Sequence, residues 1–195
     1  MPASRWERWL ANFRDRHGET HLEVAGGALR GSAVDGSTFL ARLPFERSYA
    51  GPAEGFAPTD PPADWGVLLV RRGGFAVARM AGATMTVHKV GRRHVQGRTK
   101  AGGQSQQRFA RRRANQARQA FDAAAEHAVR LLGEATGLPV VVGGDRDAIE
   151  QVLGERGLTG LRPVGPWLAV PDPRRAVLDQ AVLDAQALVV EVHNA

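Results

Sequence analysis

Two adjacent glycines and a glutamine, Gly102, Gly103 and Gln104, are the residues of this chain whose types and spacing point most directly to chemistry. Two successive glycines allow backbone angles closed to other residues, so the main chain can enter a narrow space. The glutamine side chain offers one acceptor and two donors, and its backbone N–H adds another donor. Because none of these groups titrates near neutral pH, the segment is suited to orienting a water molecule or stabilising negative charge on an ester oxygen, and not to general base catalysis.

Basic residues surround this segment, with Arg98 and Lys100 before it and Arg108 after it. From residue 65 to residue 121 there is no Asp or Glu, and this stretch holds 13 of the 26 Lys and Arg residues. The rest of the chain carries 13 basic and 20 acidic residues. Concentrated like charge destabilises the compact state unless a polyanion binds, and the usual polyanion is nucleic acid. A neutral, water-orienting tip on a phosphate-binding stem fits hydrolysis of an ester at an RNA end; a basic face kept for solubility is the alternative.

The composition excludes several classes of protein. The chain has 195 residues and no cysteine, which rules out a disulfide scaffold, a thiolate zinc site and a cysteine nucleophile. No run of about 18 apolar residues occurs, so no membrane span is expected. The first residues lack the unbroken apolar core of a secretory signal. We therefore expect a cytoplasmic protein made of one domain, or of one domain with an appended arm.

The first third of the chain predicts a helix followed by short strands. Charged and apolar residues alternate near the N-terminus at helical spacing, which predicts an amphipathic helix that packs Trp6, Leu10 and Phe13 onto the body. Glycine-rich turns then separate short strands, with a two-residue hairpin signal at Asp35-Gly36. Residues 44–64 hold five of the 11 prolines and are expected to form a loop.

The remaining residues predict a β-meander followed by alternating helices and strands. Two strands are expected across a turn at residues 72–74, and a third strand over residues 85–95. A helix should run from Ser105, as its N-cap, to Leu132, with an apolar face that comprises Phe109, Ala117, Ala120, Phe121, Ala124, Ala128 and Leu131.

After this helix, the sequence predicts a strand LPVVVGG, a helix DRDAIEQVLGERG, a strand over residues 164–170 and a helix that begins at Asp172-Pro173. The final LVVEV either continues that helix or forms an edge strand. This order predicts an α/β domain with a mixed sheet flanked by helices.

Residues 102–113, GGQSQQRFARRR, resemble the catalytic loop and following helix of the eukaryotic and archaeal class I peptide-chain release factors. The shared pattern is a GGQ, a Ser, two variable residues, an Arg-Phe pair and further arginines, and every fixed position is matched. The order of elements from about Trp65 to Gly157 is also similar to the catalytic middle domain of those factors. The resemblance implies an RNase H-like fold of the release factor middle-domain type.

The chain departs from those factors because it shows neither the codon-reading domain, with its Asn-Ile-Lys-Ser type motif, nor room for the domain that contacts a translational GTPase. A stand-alone domain of this kind resembles the Vms-type release factor-like family, in particular its small actinobacterial members. That resemblance implies a peptidyl-tRNA hydrolase, active without a stop codon, that frees nascent chains from the large ribosomal subunit in ribosome-associated quality control.

The same resemblance assigns residues. It implies that Gly102, Gly103 and Gln104 are catalytic, and that RNA is bound by Arg98, Lys100, Arg108, Arg111, Arg112 and Arg113. The expected partners are ribosomal RNA of the large subunit and peptidyl-tRNA; the protein is expected to be a monomer without a cofactor or metal. Residues 1–60 are expected to pack on the main domain, which spans residues 65–195 and carries the GGQ loop at residues 97–105.

Two other classes of function stay open at the level of sequence. One is a non-catalytic ribosome- or tRNA-binding factor that uses the same basic face. The other is an RNA endonuclease, for which Asp145, Asp147 and Glu150 would supply a metal site, although acids at a helix start also favour the helix dipole. His88 and His94 would share a face of an extended strand and suit either a metal pair or a surface position.

Overall fold

The computed structural model describes residues 1–92, 104–133 and 135–195, with the backbone alone at residues 92 and 104–117. The helices are α1 (Trp6–His17), α2 (Gln104–Leu132), α3 (Arg146–Leu153) and α4 (Arg175–Ala185). The strands are β1 (Thr20–Ala25), β2 (Ala28–Ala33), β3 (Thr38–Arg42), β4 (Asp64–Arg71), β5 (Gly74–Ala81), β6 (Thr84–Arg92), β7 (Pro139–Gly144), β8 (Arg162–Leu168) and β9 (Val189–His193). The chain divides into two compact units, one made of residues 62–182 and the other of residues 1–61 and 183–195.

The unit of residues 62–182 is built on a five-stranded sheet in the order β6-β5-β4-β7-β8. β4, β5 and β6 form an antiparallel meander, with the predicted turn at Arg72 and Gly73 between the first two strands. β7 pairs parallel to β4, and β8 pairs parallel to β7. This mixed sheet with flanking helices confirms the predicted α/β class.

One face of this sheet is covered by α2 and α3. The core beneath them includes Leu68, Val77, Val140 and Ile149. From α2, the predicted face supplies Ala120, Ala124 and Ala128, which are buried, while Phe121 and Leu131 are partly buried against the same core. Alanines at four-residue spacing leave little side-chain volume between helix and sheet, so the helix backbone can approach the strands closely.

The opposite face of the sheet is buried as well. It carries side chains that alternate along the central strands with those beneath α2, namely Val67, Leu69, Ala76, Ala78 and Val141. A strand that is buried on both faces needs apolar residues at every position. This requirement explains the continuous run WGVLLV in β4.

The unit of residues 1–61 and 183–195 has an antiparallel sheet in the order β1-β2-β3-β9. The predicted amphipathic helix α1 buries Trp6 and Phe13 in a core with Phe39 and Phe56, and Leu10 packs against that core half-buried. The Trp6 indole N–H donates to the Phe56 carbonyl oxygen at 3.1 Å. These contacts confirm the predicted docking of α1.

Four details differ from the sequence prediction or decide between its alternatives. Helix α2 begins at Gln104, so Ser105 lies inside the helix and the prediction that it is the N-cap was wrong. The β2–β3 connection has four residues instead of two, because the Asp35 carboxylate accepts the Ser37 N–H at 2.8 Å and closes a longer turn. Helix α4 begins at Arg175 and not at Asp172, whose carboxylate lies 3.8 Å from Arg71. The C-terminal LVVEV is an edge strand, β9, paired with β3. The assignment of residues 1–60 and 65–195 to separate functional parts stays a prediction.

In the described part of the chain, no helix is both long enough and apolar enough to cross a membrane.

Candidate catalytic loop and its basic surroundings

The predicted catalytic segment lies between β6, which ends at Arg92, and α2, which begins at Gln104. Gly102 and Gly103 of the motif, together with Arg98 and Lys100, lie outside the described residues. The described structure therefore places the two elements that lead into and out of the predicted loop, and it places the backbone of Gln104.

Gln104 is the first residue of α2. The first four N–H groups of an α-helix have no acceptor within the helix, so the Gln104 N–H has no acceptor within α2. The aligned peptide dipoles add partial positive charge at the same end. A developing oxyanion is the kind of group that such a terminus stabilises.

Helix α2 is a long arm whose C-terminal half is fixed on the sheet. Its 29 residues span about 43 Å at the usual helical rise. The buried side chains from Ala120 to Leu132 fix its C-terminal half on the sheet. Gln104 lies 16 residues before Ala120, which is about 24 Å along the helix axis. The first residue of α2 is thus separated along the helix axis from the half that packs on the sheet.

The predicted RNA-binding residues of α2 are in its first half. The backbone of Arg108, Arg111, Arg112 and Arg113 is helical; the structure does not describe their side chains. Arg118, seven positions after Arg111 and so about two turns farther along, is exposed, as the helical spacing predicts. Arg118 makes no ion pair among the described residues, so its charge is available to a partner.

Two arginines from the acid-free stretch are neutralised inside the fold. Arg79 of β5 donates from Nε and Nη2 to the two carboxylate oxygens of Asp64, at 3.0 and 2.8 Å. These hydrogen bonds lower the pKa of Asp64 below its usual range. Arg79 also donates to the Leu131 carbonyl oxygen at 3.4 Å, which ties the sheet to the end of α2. Sequence reasoning counted this charge toward RNA binding, whereas the structure gives it a structural role.

Arg71 has a similar role at the carboxyl ends of β4 and β7. Its Nε lies 3.5 Å from Asp145 and 3.8 Å from Asp172, and its Nη1 donates to the Val170 carbonyl oxygen at 2.8 Å. The Asp145 carboxylate also accepts the Arg72 N–H at 3.2 Å. A guanidinium therefore interacts with Asp145, one of the three carboxylates that an endonuclease would need for a divalent cation.

The remaining acids and histidines give the metal hypotheses no support. Asp145 directly precedes α3 and Asp147 lies in its first turn, where acids stabilise the helix dipole. The His88 Nε2 accepts a hydrogen bond from Arg175 at 2.8 Å, which uses the lone pair that a metal would need. His94 lies outside the described residues. Within the described ranges, no group of three or more His, Asp or Glu residues is arranged to hold a metal ion.

A comparison with known protein families agrees with the sequence-based resemblance. Residues 63–191 match the family described as the Actinobacteria/chloroflexi VLRF1 release factor. The matched range covers 129 of the 195 residues and includes the whole GGQSQQRFARRR segment. A search of curated proteins found no match. The suspected actinobacterial branch of the Vms-type release factor-like proteins is thereby confirmed: the chain belongs to the Actinobacteria/chloroflexi VLRF1 release factor family, and this membership supports a role in ribosome-associated release or rescue.

Proposed function

We propose that this protein is a peptidyl-tRNA hydrolase that acts on the large ribosomal subunit and cleaves the ester between nascent peptide and tRNA without a stop codon. The observation that carries the proposal is the position of Gln104. In a chain of a release factor family, the last residue of the GGQ motif is the first residue of a long, anchored helix, where its N–H has no intrahelical acceptor.

The reaction that we propose needs positioning and charge stabilisation. The Gln104 side chain holds a water molecule against the ester carbonyl carbon, and the water oxygen forms the new bond to that carbon. The ester bond to the terminal ribose breaks, and the ribose oxygen takes up a proton. The Gln104 N–H donates to the oxyanion or to the leaving ribose oxygen; losing one such donor costs about 10²–10³ in rate. Gly102 and Gly103 give the backbone the freedom to reach the ester.

The proposed chemistry does not depend on a titratable group in the GGQ motif. We therefore expect the ribosome and the tRNA to contribute much of the remaining catalysis, and the isolated protein to be nearly inactive. The monomeric state, the cytoplasmic location and the assignment of residues 65–195 as the catalytic domain belong to the same proposal. The GGQ loop predicted at residues 97–105 belongs to it as well, with its last two residues, Gln104 and Ser105, in the first turn of α2.

The charge distribution supports RNA as the partner. Residues 62–182 hold 19 Lys and Arg against 10 Asp and Glu, a net charge of +9. The other unit holds seven Lys and Arg against 10 Asp and Glu, a net charge of −3. The positive excess is thus confined to the unit that carries the motif, as expected if that unit contacts the phosphate backbone.

The identity of the products tests this function. Purified large subunits that carry a labelled peptidyl-tRNA are incubated with the protein, and peptide and tRNA are resolved on a denaturing gel. Free peptide together with full-length tRNA is the expected result. Shortened tRNA would instead indicate an endonuclease, and binding without release of peptide would indicate a non-catalytic factor.

A further inference from the structure

Three side chains from two elements converge near the C-terminal end of α2. Lys89 of β6 pairs in register with Val77 of β5, and Val77 belongs to the core beneath α2. Residues directly opposite each other in an antiparallel pair point to the same face, so Lys89 lies on the α2 side of the sheet. From α2, His127 stacks on Phe75 at 5.4 Å between ring centroids, and Arg130 Nη2 lies 2.5 Å from His127 Nδ1.

No acid among the described residues forms an ion pair with the two cations of this cluster. Lys89 and Arg130 are exposed, and neither makes an ion pair among the described residues. The pKa of His127 is lowered by its burial and, to a smaller extent, by the positive charges of Arg130 and Lys89, while Glu126 opposes the shift with a smaller effect. Cations that repel one another in this way are stabilised when an anion binds between them.

The orientation of His127 adds a further donor. Arg130 has only N–H donors, so Nδ1 of His127 must accept in their hydrogen bond. In the neutral imidazole the proton then resides on Nε2, which can donate. An ammonium, a guanidinium and an imidazole N–H together are the donors that recognise phosphate oxygens.

A cation at the end of a helix also has a purely structural role. Arg130 lies in the last turn of α2, where its charge stabilises the helix dipole. That role explains Arg130 alone. It does not explain why Lys89, from an edge strand, faces the same helix, or why Arg130 contacts a histidine while Glu126, one turn earlier, makes no ion pair with it among the described residues.

From this geometry we infer that Lys89, His127 and Arg130 form a second RNA contact, a binding site for the phosphate backbone that is separate from the GGQ end. His127 is 23 residues after Gln104, about 35 Å along the helix axis. A phosphate bound there lies far from the reacting ester, so the site orients the α2 arm on RNA and takes no part in the chemistry. The inference rests on the proposed function for its RNA partner, which is either ribosomal RNA or tRNA.

The salt dependence of binding tests this site. Each phosphate contact contributes close to one to the slope of log K against log salt concentration. Lys89→Ala and Arg130→Ala should each weaken binding and make this negative slope shallower by about one. The matched control is Arg162→Ala, which removes another exposed charge from β8 at the opposite edge of the same sheet. Lys89→Arg should keep the wild-type slope.

Two ligands separate the two sources of RNA. Affinities are measured with the full chain for purified large ribosomal subunits and, in a second series, for deacylated tRNA. A smaller slope on subunits alone assigns the site to ribosomal RNA, and a smaller slope on tRNA alone assigns it to tRNA. If Lys89→Ala and Arg130→Ala match Arg162→Ala on both ligands, with circular dichroism spectra like that of the wild type, the site does not exist.

This test is independent of hydrolysis. Binding can be measured in the Gln104→Ala background, where the water-positioning side chain is absent and release is expected to be slow. If the wild type fails to release peptide while Lys89→Ala and Arg130→Ala reduce the salt dependence, the site is supported and the proposed function is refuted. If the wild type releases peptide while neither variant changes the salt dependence, the proposed function is supported and the site is refuted.

Discussion

Gly91 of β6 lies directly opposite Phe75 of β5, and a methyl group at Gly91 would overlap the Phe75 ring. The same ring stacks on His127 of α2 at 5.4 Å. Because Gly91 has no side chain, the Phe75 ring can pack between β6, which precedes the predicted loop, and α2, which follows it. The contact between Gly91 and Phe75 therefore helps to set the position of β6 relative to α2.

Replacing Gly91 with alanine should destabilise the protein. The added methyl group must displace a buried ring, and overpacking of this kind costs about 1–3 kcal/mol. Thermal unfolding followed by circular dichroism measures the effect as a lower Tm. Gly154→Ala is the matched control, because an added methyl there meets only backbone oxygens at 3.4 Å, an ordinary contact distance. Equal Tm values for the two variants would show that the ring moves aside at no cost.

Removing the Asp64 carboxylate should reduce the acid sensitivity of the fold. Arg79 lowers the folded-state pKa of Asp64, so the stabilisation is present above the unfolded pKa of about 3.9 and is lost as pH falls through the folded pKa. Tm is measured from about pH 6 down to about pH 2.5. Wild type should lose more Tm over this range than Asp64→Asn. Asp122→Asn, on exposed α2 surface, should follow the wild-type profile.

Replacing His127 should change the pH dependence of Tm at higher pH than replacing Asp64 does. The pKa of His127 is lowered in the folded state, chiefly by burial, so the unfolded state binds the proton more readily. Stability from neutral His127 is complete above the ordinary histidine pKa of about 6.5 and is lost as pH falls through the lowered pKa of the folded state. Wild type should thus lose more Tm than His127→Gln between about pH 7.5 and about pH 5. Parallel curves would contradict this assignment.

Asp145→Asn separates the hydrolase from an endonuclease. The carboxylate interacts with Arg71 and the Arg72 N–H, so its loss should lower Tm without creating or abolishing RNA cleavage. Full-length tRNA is expected from wild type and variant, with Mg²⁺ and with a chelator. Cleavage by wild type that needs Mg²⁺ and disappears in Asp145→Asn would establish the metal site that the ion pairs argue against.

Local signals in the sequence predicted most of the larger unit. The meander followed from alternating residues around Gly73 and Gly74, and the burial of Ala120, Ala124 and Ala128 followed from helical spacing. The pairing of β9 with β3 could not be predicted, because it joins segments such as Arg42 and Val189 that are far apart in the chain. LVVEV satisfies a helix and a strand equally well until a partner strand is known.

The candidate site was also predictable only in part, because some of its contacts join segments that are far apart in the chain. The GGQ motif and its arginines form one continuous segment, so they can be recognised without a fold. The charge count could not separate Arg79, which pairs with Asp64 on the neighbouring strand, from the exposed Arg118. The position of Lys89 beside His127 likewise depends on the β5–β6 register and on which face of α2 meets the sheet.

The central claim is that Gln104 itself promotes hydrolysis of the peptidyl-tRNA ester. The most direct measurement is the single-turnover rate of peptide release from peptidyl-tRNA on purified large subunits. It compares wild type with Gln104→Ala, and uses Gln106→Ala as a chemically identical change one half-turn farther along the same helix. Gln104→Ala removes the water-positioning side chain and keeps the backbone N–H. We expect it to bind subunits normally and to release peptide about 10² times more slowly, with Gln106→Ala close to wild type. Equal release by Gln104→Ala and wild type would contradict the claim.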